Sequence, residues 1–313
     1  FHPTSIKEIG FGKLRLTMAH SLDPGGIIHE ALEIFAEEVY RRSQGEMPVR
    51  VFDRSSAGLQ MDVITDVSEG RYSLTRASGV QLESHNRLGG LFSVPFLFRN
   101  QEHFWSVLDG EIGRELLWRA SPPGLLGLCY FYDGTRSFYA KRPLLHADDM
   151  KGLRVRVPSA RTLDRVVRAL GAESVRLPPN VTIQAFMDGR IDAAENSLYG
   201  YVEALHYNYA PYFSETNHLA VPDMLLVGRR LWEELNDQQR QVLQESAAYA
   251  SRWQRERWNE REATHRQMLE QAAATVRVPD RESFFRAVEP NIEEWFAPEV
   301  LPWIERVRAV AAG

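Results

Sequence analysis

Residues 151–197 read KGLRVRVPSARTLDRVVRALGAESVRLPPNVTIQAFMDGRIDAAENS, and they alternate between strand patterns and helix patterns. Segment 153–158 alternates basic and apolar residues and ends at a proline, which predicts a short strand. A helix is predicted next, because apolar residues recur on one face before a glycine. These residues are Leu163, Val166, Val167, Leu170 and the terminal Gly171. Strand, helix and strand patterns follow at 173–178, 181–189 and 190–197, and such alternation is typical of an α/β fold.

The same order of elements occurs earlier in the chain. Segments 66–78 (DVSEGRYSLTRAS) and 185–197 (AFMDGRIDAAENS) both end a helix pattern in acidic-Gly-Arg. Both then continue as a strand that opens into a small polar loop. A strand at 13–20 and an amphipathic helix precede the first copy. The apolar residues of that helix are Ile28, Leu32, Phe35 and Val39. We therefore expect two similar α/β lobes.

Three further predictions concern single elements. Residues 100–120 are predicted to form one helix, and residues 124–132 a buried strand. Residues 230–275 contain no proline or glycine, which predicts a long helix whose main segment is capped at Asn236 and Asp237. Its apolar residues do not keep a heptad repeat, so a helix lying across two lobes is favoured over a coiled coil.

Composition and charge exclude several classes of function. The chain has 313 residues, a formal net charge of -5 and a pI near 6.0, and so lacks the basic footprint of a nucleic-acid-binding protein. No run approaches the roughly 18 apolar residues of a membrane span. Cys129 is the single cysteine, which excludes an internal disulfide, and its apolar strand predicts a buried, inert thiol.

The common catalytic and metal-binding motifs are missing from the sequence. It contains no P-loop, no G-x-G-x-x-G, no G-x-S-x-G and no H-E-x-x-H. His29 begins H-E-A-L-E, in which the second histidine is absent, and it is expected on the helix surface. The nine histidines lack the i, i+4 spacing that metal sites favour. We expect no catalytic residue, no metal and no cofactor.

Polar residues instead stand at the ends of predicted strands. Arg136 follows an apolar strand, Asn196 stands at the mouth of another with Tyr199 beyond it, and Asn217 precedes a further strand. Ligands of open α/β sheets bind beyond the carboxyl ends of strands, in pockets with a few fixed polar groups. Each residue also has a purely structural interpretation, as an exposed strand edge, a helix cap or a packing ring. The residues alone leave both interpretations open.

The segment 151–198 resembles the solute-binding proteins of tripartite ATP-independent periplasmic (TRAP) transporters, of the DctP-like type. It carries K-G-L-R-V-R-V, A-L-G-A, G-R-I-D and an E-N loop in the order of the family. The resemblance extends over essentially the whole chain. It includes AHSLDPGG (19–26), SVPFLFRNQEHFWSVLDGEIGREL (93–116), YDGTRSFYAKRPL (132–144) and FSETNHLAVPDMLLV (213–227).

This resemblance implies a two-lobed, type II-like periplasmic binding protein of α/β class, with a hinge and a long helix crossing both lobes. Lobe I is expected to comprise 11–135 plus 223–262, and lobe II 136–222 plus 263–313. The implied partners are a small carboxylate solute, clamped between the lobes, and the subunits of a TRAP-type membrane permease. The protein is expected to be a periplasmic monomer. Its start at Phe1 fits either a removed signal sequence or a trimmed chain.

The resemblance also assigns ligand-binding roles. The arginine before V-P makes a two-pronged contact with the ligand carboxylate, a second arginine adds a cationic contact, and the asparagine of the E-N loop lies beside them. In this sequence the expected ligand-binding residues are Arg156, Arg136, Asn196, Ser78, His20, Tyr199 and Asn217. Position 154 tolerates Lys or Arg in the family, so Arg154 is expected at the solvated strand edge.

Several departures from the family pattern bear on the ligand. Asn180–Ile183 replaces a usual G-E-V-Y, and Ser73 stands where an aspartate is usual. Hydroxyl- and ring-bearing residues near the expected cleft favour a sugar acid of the uronate or aldonate kind. A dicarboxylate and an aromatic or keto acid are the alternative ligands. The alternative function is a ligand-sensing domain of a signalling system, and an enzyme is disfavoured because no acid–base constellation is recognisable.

Overall fold

A computed structural model describes residues 13–22, 24–57, 60–158 and 161–311, without the side chains of residues 55, 57 and 60–62. The predicted starting point of lobe I and the last two residues of lobe II therefore lie outside the described residues. The strands are β1 (Leu16–Ala19), β2 (Val49–Phe52), β3 (Leu74–Ser78), β4 (Leu125–Ala140), β5 (Arg154–Val157), β6 (Glu173–Arg176), β7 (Ala193–Ser197), β8 (Tyr212–Gly228) and β9 (Thr275–Arg277). The helices are α1 (Ile27–Arg42), α2 (Arg54–Ala57), α3 (Gln60–Ser68), α4 (Gly79–Glu83), α5 (Gln101–Leu108), α6 (Glu111–Arg119), α7 (Arg161–Ala169), α8 (Thr182–Met187), α9 (Leu198–Glu203), α10 (Arg229–Glu234), α11 (Asp237–Gln271), α12 (Arg281–Val288), α13 (Ile292–Trp295) and α14 (Leu301–Ala309).

The chain forms two compact units, each built from three stretches. Unit 1 contains the described residues up to Gly89, with Leu108–Tyr132 and Pro222–Trp258. Unit 2 contains Gly90–Val107, Asp133–Val221 and the described residues from Asn259 onward. By their residue ranges, strands β4 and β8 and helix α11 each begin in one unit and end in the other. The predicted lobe boundaries stay a prediction; they differ from the units in one long segment and by a few residues at the other boundaries.

That segment is 90–107, which the sequence prediction placed in lobe I and which packs within unit 2. The backbone N–H of Phe96 donates to the carbonyl of His218 at 2.9 Å. The Arg99 guanidinium donates to the carbonyls of Arg308 and Val310 at the end of α14. These bonds join residues more than a hundred positions apart, which sequence periodicity cannot reveal.

In unit 1, three parallel strands are ordered β2–β1–β3, and the second part of β8 runs antiparallel to β3. Helix α1 packs on this sheet with its apolar face buried, as the sequence spacing predicts. The buried residues of that face are Ile28, Leu32, Phe35 and Val39. Helix α1 has a glycine N-cap, Glu30 in its first turn and two arginines in its last turn, which suits the helix dipole.

In unit 2, three parallel strands are ordered β6–β5–β7, and the second part of β4 runs antiparallel to β7. Strand β9 pairs in parallel with the start of β8. Helix α7 buries the apolar face predicted for it, with Leu163, Val166 and Val167 in the core. The Val155 and Val157 side chains of β5 are fully buried beside them.

The strand orders of the two units correspond, which confirms the predicted α/β fold class. Strands β1, β2, β3 and β8 of unit 1 match β5, β6, β7 and β4 of unit 2. The repeated segments 66–78 and 185–197 are α3–β3 and α8–β7. Each ends in a serine, Ser78 or Ser197, that is the N-cap of the following short helix.

Some element boundaries differ from the sequence prediction. Residues 100–120 form two helices, because the chain turns at Asp109 and Gly110. Gly113 permits the close approach of α6 to α5, since a Cβ there would lie 2.0 Å from the carbonyl oxygen of Leu108. Strands β4 and β8 are 16 and 17 residues long, so Arg136, expected after a strand, lies inside β4, and Asn217, expected before one, lies inside β8. The long helix is confirmed as α11, whose N-cap residue Asn236 accepts from the N–H of Gln239.

Candidate anion-binding site

Strand β5 carries two arginines that the fold treats differently. Arg154 and Arg156 are two residues apart and therefore lie on the same face of the strand. Arg154 donates to both carboxylate oxygens of Asp192, at 2.8 and 3.0 Å, and its side chain is 39% exposed. Arg156 is 2% exposed and donates through Nε to the carbonyl of Leu177 at 2.9 Å. Arg154 is thus partly exposed as expected, but β5 lies between β7 and β6 and is not an edge strand. The ligand contact expected of Arg156 stays a prediction.

The Arg156 guanidinium is buried without a paired anion. Its Nη2 is inaccessible to solvent and has no hydrogen-bond partner among the described residues. Burial lowers the pKa of Arg156, while the charge of Glu195 raises it and the charge of Arg136 lowers it. The group nevertheless stays cationic, because a guanidinium does not lose its proton in proteins. A buried cation with an unpaired donor favours an anionic ligand.

The nearby acid, Glu195, is already bound by the second predicted arginine. Arg136 donates to both Glu195 oxygens, through Nε at 2.5 Å and through Nη2 at 2.7 Å. Burial alone would raise the pKa of Glu195, but Arg136 and His218 lower it to about 2. Nε2 of His218 lies 3.7 Å from Oε2 of Glu195, which is too far for a hydrogen bond. Arg136, whose side chain is 23% exposed, therefore neutralises the buried Glu195, and a direct contact of Arg136 with the ligand stays a prediction.

A tyrosine–histidine pair lies beside the Arg156 charge. The hydroxyl of Tyr139 and Nδ1 of His206 are joined by a 2.7 Å hydrogen bond, and both side chains are buried. Burial, together with the Arg156 charge, lowers the pKa of His206 to about 4. His206 is therefore neutral at pH 7. The cluster thus has one positive charge, on Arg156, once the Arg136–Glu195 pair is counted as neutral.

Hydroxyl and amide groups cluster on β4 and β8 of unit 2. The Oδ1 atom of Asn217 accepts from the hydroxyls of Thr135 (3.0 Å) and Ser137 (3.1 Å). Ser137 is paired with Asn196 in the sheet, one position from the Arg136–Ser197 pair. Because Oδ1 of Asn217 is occupied, its Nδ2 is the end of the amide left to donate to other groups.

Asn196 and Tyr199 occupy different local settings. Asn196 is half-buried, and its Oδ1 accepts from the N–H of Ser197 at 2.9 Å. Gly200 leaves room for this side chain, since a Cβ there would lie 2.5 Å from Asn196 Nδ2. The ring of Tyr199 packs against His265 with 5.2 Å between ring centroids. His265 in turn bonds Glu203, so this contact of Tyr199 is a structural one.

In unit 1, His20 directly follows β1 and is fully buried. Its Nδ1 accepts from the N–H of Leu22, which places the proton on Nε2, 3.2 Å from Nδ1 of His29. Burial, His29 and Arg76 lower the pKa of His20 to about 4, against the opposing charge of Asp53. His20 is thus a neutral residue with a fixed tautomer. His29 is buried as well, which corrects the surface position expected from the sequence.

Unit 1 also carries an ion pair that sequence reasoning missed. Nη1 of Arg76 lies 3.1 Å from Oδ2 of Asp223, and both side chains are buried. Ser78, two residues after Arg76, is paired with Asp223 in the sheet. The equivalent positions of unit 2 hold Glu195 and Arg136, so the acid and the base are exchanged between the units. The repeat of segments 66–78 and 185–197 was the signal that could have revealed this pair.

The two ion pairs differ in how completely they are bonded. Glu195 has both oxygens bound, whereas Oδ1 of Asp223 is buried with no hydrogen-bond partner among the described residues. Burial raises the pKa of Asp223 even though Arg76 opposes the shift. Ser78, predicted to face the ligand, donates through its N–H and its hydroxyl to Oε1 of Gln81. In this structure Ser78 orders the start of α4.

The described ranges lack the features of a metal site and of a membrane span. Those residues contain no group of three or more His, Cys, Asp or Glu placed to hold a metal ion. In the same part of the chain, no helix has the length and apolar character needed to cross a membrane. Cys129 is buried in β4, and burial raises the pKa of its thiol far above the ordinary value.

Comparison with known proteins identifies the family. The model of "Bacterial extracellular solute-binding protein, family 7" (DctP) matches residues 18–299. The chain belongs to this family. A solute-binding protein of Chromohalobacter salexigens is 30% identical over 271 residues, which cover 86% of this chain and 81% of the relative.

Solved structures of TRAP periplasmic solute-binding proteins share this fold. A TRAP periplasmic solute-binding protein from Xanthobacter autotrophicus, with bound β-D-galacturonate, has a TM-score of 0.82 and 27% identity. A second, from Chromohalobacter salexigens with bound D-glucuronate, has a TM-score of 0.84 and 26% identity. Each comparison covers 95% of this chain and 100% of the other. The recognised family and the fold class are thereby confirmed.

Proposed function

We propose that this solute-binding protein captures a small sugar acid, of the uronate or aldonate kind, and delivers it to a TRAP-type membrane permease. Arg156 binds the ligand carboxylate, and the amide and hydroxyl groups around Asn217 recognise ligand hydroxyls. Asn196 lies on the strand next to this cluster and adds an amide. Ligand contacts of His20 and Ser78 stay predictions. The protein acts in the periplasm as a monomer, and it binds its ligand without chemical turnover.

The observation that carries this proposal is the unpaired Nη2 of buried Arg156. A guanidinium presents a planar fork of donors that matches a carboxylate. A charge-assisted hydrogen bond contributes about 1.5–3 kcal/mol net, roughly twice the contribution of a neutral one. The carboxylate also relieves the cost of holding an uncompensated cation away from water.

The local charge favours a ligand with one carboxylate at this position. Arg136 and Glu195 neutralise each other, and the lowered pKa values leave His206 and His218 neutral at pH 7. One anionic group therefore balances the charge of Arg156. A second ligand carboxylate nearby would have no counterion and would be repelled by Glu195. The ligands of the two solved relatives, a galacturonate and a glucuronate, are hydroxylated monoacids of this kind.

A thermal-shift panel tests the proposal. A ligand that binds only the native state stabilises it by about 2.7 kcal/mol at a concentration of 100 Kd. We expect D-glucuronate or D-galacturonate to raise Tm, while neutral D-glucose does not. Succinate and benzoate represent the alternative ligand classes. A Tm increase with succinate or benzoate, and none with the sugar acids, would refute the sugar-acid assignment.

A further inference from the structure

Several residues of unit 2 have left-handed backbone conformations that glycine would normally occupy, and two of them are Phe96 and Asn217. Phe96 has φ of 56° and Asn217 has φ of 44°. The two segments are joined by the hydrogen bond from the Phe96 N–H to the His218 carbonyl. Asparagine tolerates this region better than other residues, whereas a bulky phenylalanine there is unusual. Such conformations persist only where surrounding contacts hold them.

Side-chain hydroxyls replace part of the backbone pairing around Asn217. Its N–H donates to Oγ of Ser137 at 3.0 Å. One step along, the N–H of Phe138 donates to Oγ1 of Thr216 at 3.3 Å. Side-chain bonds thus take part in holding the backbone at Asn217, and its side-chain amide accepts from Thr135 and Ser137.

Arg281, the first residue of α12, donates to backbone carbonyls at and next to Asn217. Its Nε donates to the Thr216 carbonyl at 3.2 Å. Its Nη2 donates to the carbonyls of Phe98 at 3.0 Å and Asn217 at 3.3 Å. The guanidinium also lies over the Phe96 ring, 5.2 Å from the centroid. One side chain thus contacts both segments that carry the left-handed residues.

We infer that Arg281 is a positioning residue for ligand recognition, which fixes the backbone of Asn217 and so the direction in which its amide donates. Arg281 acts through two donors, Nε to the Thr216 carbonyl and Nη2 to the Asn217 carbonyl. This inference rests on the proposed function, in which the Asn217 cluster recognises ligand hydroxyls. It assigns a role in affinity to a residue that lies 64 positions from Asn217 in the sequence.

The first test needs no ligand. The side-chain amide resonance of Asn217 is assigned by NMR as the signal lost in Asn217→Asp. We expect Arg281→Gln to shift this resonance, and Arg281→Lys to shift it less, because lysine keeps a cation and its donors. Arg286→Gln is the matched control, since Arg286 lies on the same helix and bonds only Glu282 among the contacts seen, with its side chain 76% exposed. An Asn217 resonance that moves equally in Arg286→Gln, or moves in neither variant, overturns the inference.

The second test measures binding of D-glucuronate by calorimetry. Arg281→Gln should weaken binding about tenfold, the effect of losing one well-placed hydrogen bond, with Arg281→Lys intermediate and Arg286→Gln unchanged. Unchanged affinity in Arg281→Gln would refute the positioning role. If the wild-type protein binds no sugar acid, the proposed function fails, and the NMR result still decides whether Arg281 positions Asn217.

Folding provides a third readout if Arg281→Gln is too unstable to purify. Glycine adopts positive φ without strain, so Asn217→Gly removes the need to hold this backbone. We expect Arg281→Lys to lower the unfolding midpoint less in the Asn217→Gly background than in the wild type. Additive changes would show that Arg281 stabilises the fold independently of Asn217, and would contradict the inference.

Discussion

Replacing Arg156 by methionine separates ligand binding from folding. Methionine keeps much of the volume of the side chain and removes a buried charge whose Nη2 has no partner in the described part of the chain. Replacing buried charges by apolar residues is often neutral or stabilising by about 1–4 kcal/mol. The variant loses the hydrogen bond to the Leu177 carbonyl, which offsets about 1 kcal/mol of that gain. We therefore expect the apo protein to unfold at the same or a higher denaturant concentration.

Ligand binding should respond in the opposite direction. Removing one partner of a desolvated charge pair costs about 2–5 kcal/mol, which is roughly 30- to 5,000-fold in Kd. The assay is calorimetric titration with D-glucuronate, beside chemical unfolding of the apo protein. Arg154→Met is the matched control, because Arg154 lies on the same strand face and is paired with Asp192 near the surface. Its effects should stay within about 1 kcal/mol. Full affinity in Arg156→Met, or equal losses in both variants, would refute the reasoning.

Two further predictions concern pH. Glu195 has a folded-state pKa of about 2, below its ordinary value of 4.5, so its stabilising effect is complete above pH 4.5 and is lost as the pH falls towards 2. Glu195→Gln should therefore flatten this part of the acid unfolding curve. At pH 7 it should lower the free energy of unfolding by about 3 kcal/mol, measured by urea unfolding. An unchanged curve would contradict the ion pair. His206, whose pKa burial and Arg156 lower to about 4, resists protonation in the folded state, so stability falls as the pH decreases from 6.5 towards 4. A ligand carboxylate bound to Arg156 should raise the His206 pKa, because it offsets the positive charge of Arg156. NMR titration of the His206 ring measures this pKa. A pKa that the ligand leaves unchanged would place the carboxylate away from Arg156.

Local sequence patterns were sufficient for much of the fold. Helix α1 and helix α7 bury the faces that their apolar spacing indicates, and α11 begins at the expected cap. Element limits were less predictable where a glycine permits an unexpectedly close approach. The turn between α5 and α6 depends on Gly113 meeting the end of α5, a tertiary contact that helix propensity does not include.

The candidate site was predictable only where one residue carries the signal. Alternation alone cannot separate Arg154 from Arg156, and the family resemblance favoured Arg156 as the binding residue. The structure adds that Arg154 has a carboxylate partner and that Nη2 of Arg156 has none among the described residues. The partners that define the site electrostatically are distant in sequence. Glu195 lies 59 positions from Arg136, so its role depends on the pairing of β4 with β7.

Arg281 and Asp223 show the same limit of sequence reasoning. Arg281 begins an ordinary helix, and nothing in its local sequence indicates contacts with Thr216 and Asn217. Asp223 lies in an apolar strand, where only the pairing of β8 with β3 brings it beside Arg76. The pairing of two strands brings Asp223 to its partner, and the packing of α12 brings Arg281 to its partners. Local sequence encodes neither contact.

A crystal structure of the protein with D-glucuronate tests the central claim most directly. The account predicts a ligand carboxylate oxygen about 2.7–2.9 Å from Nη2 of Arg156, the distance of a charge-assisted hydrogen bond. It also predicts that the Arg136–Glu195 pair stays intact in the complex. A carboxylate bound elsewhere, with Nη2 of Arg156 still lacking an anionic partner, would contradict the assignment of Arg156 as the anion-binding residue.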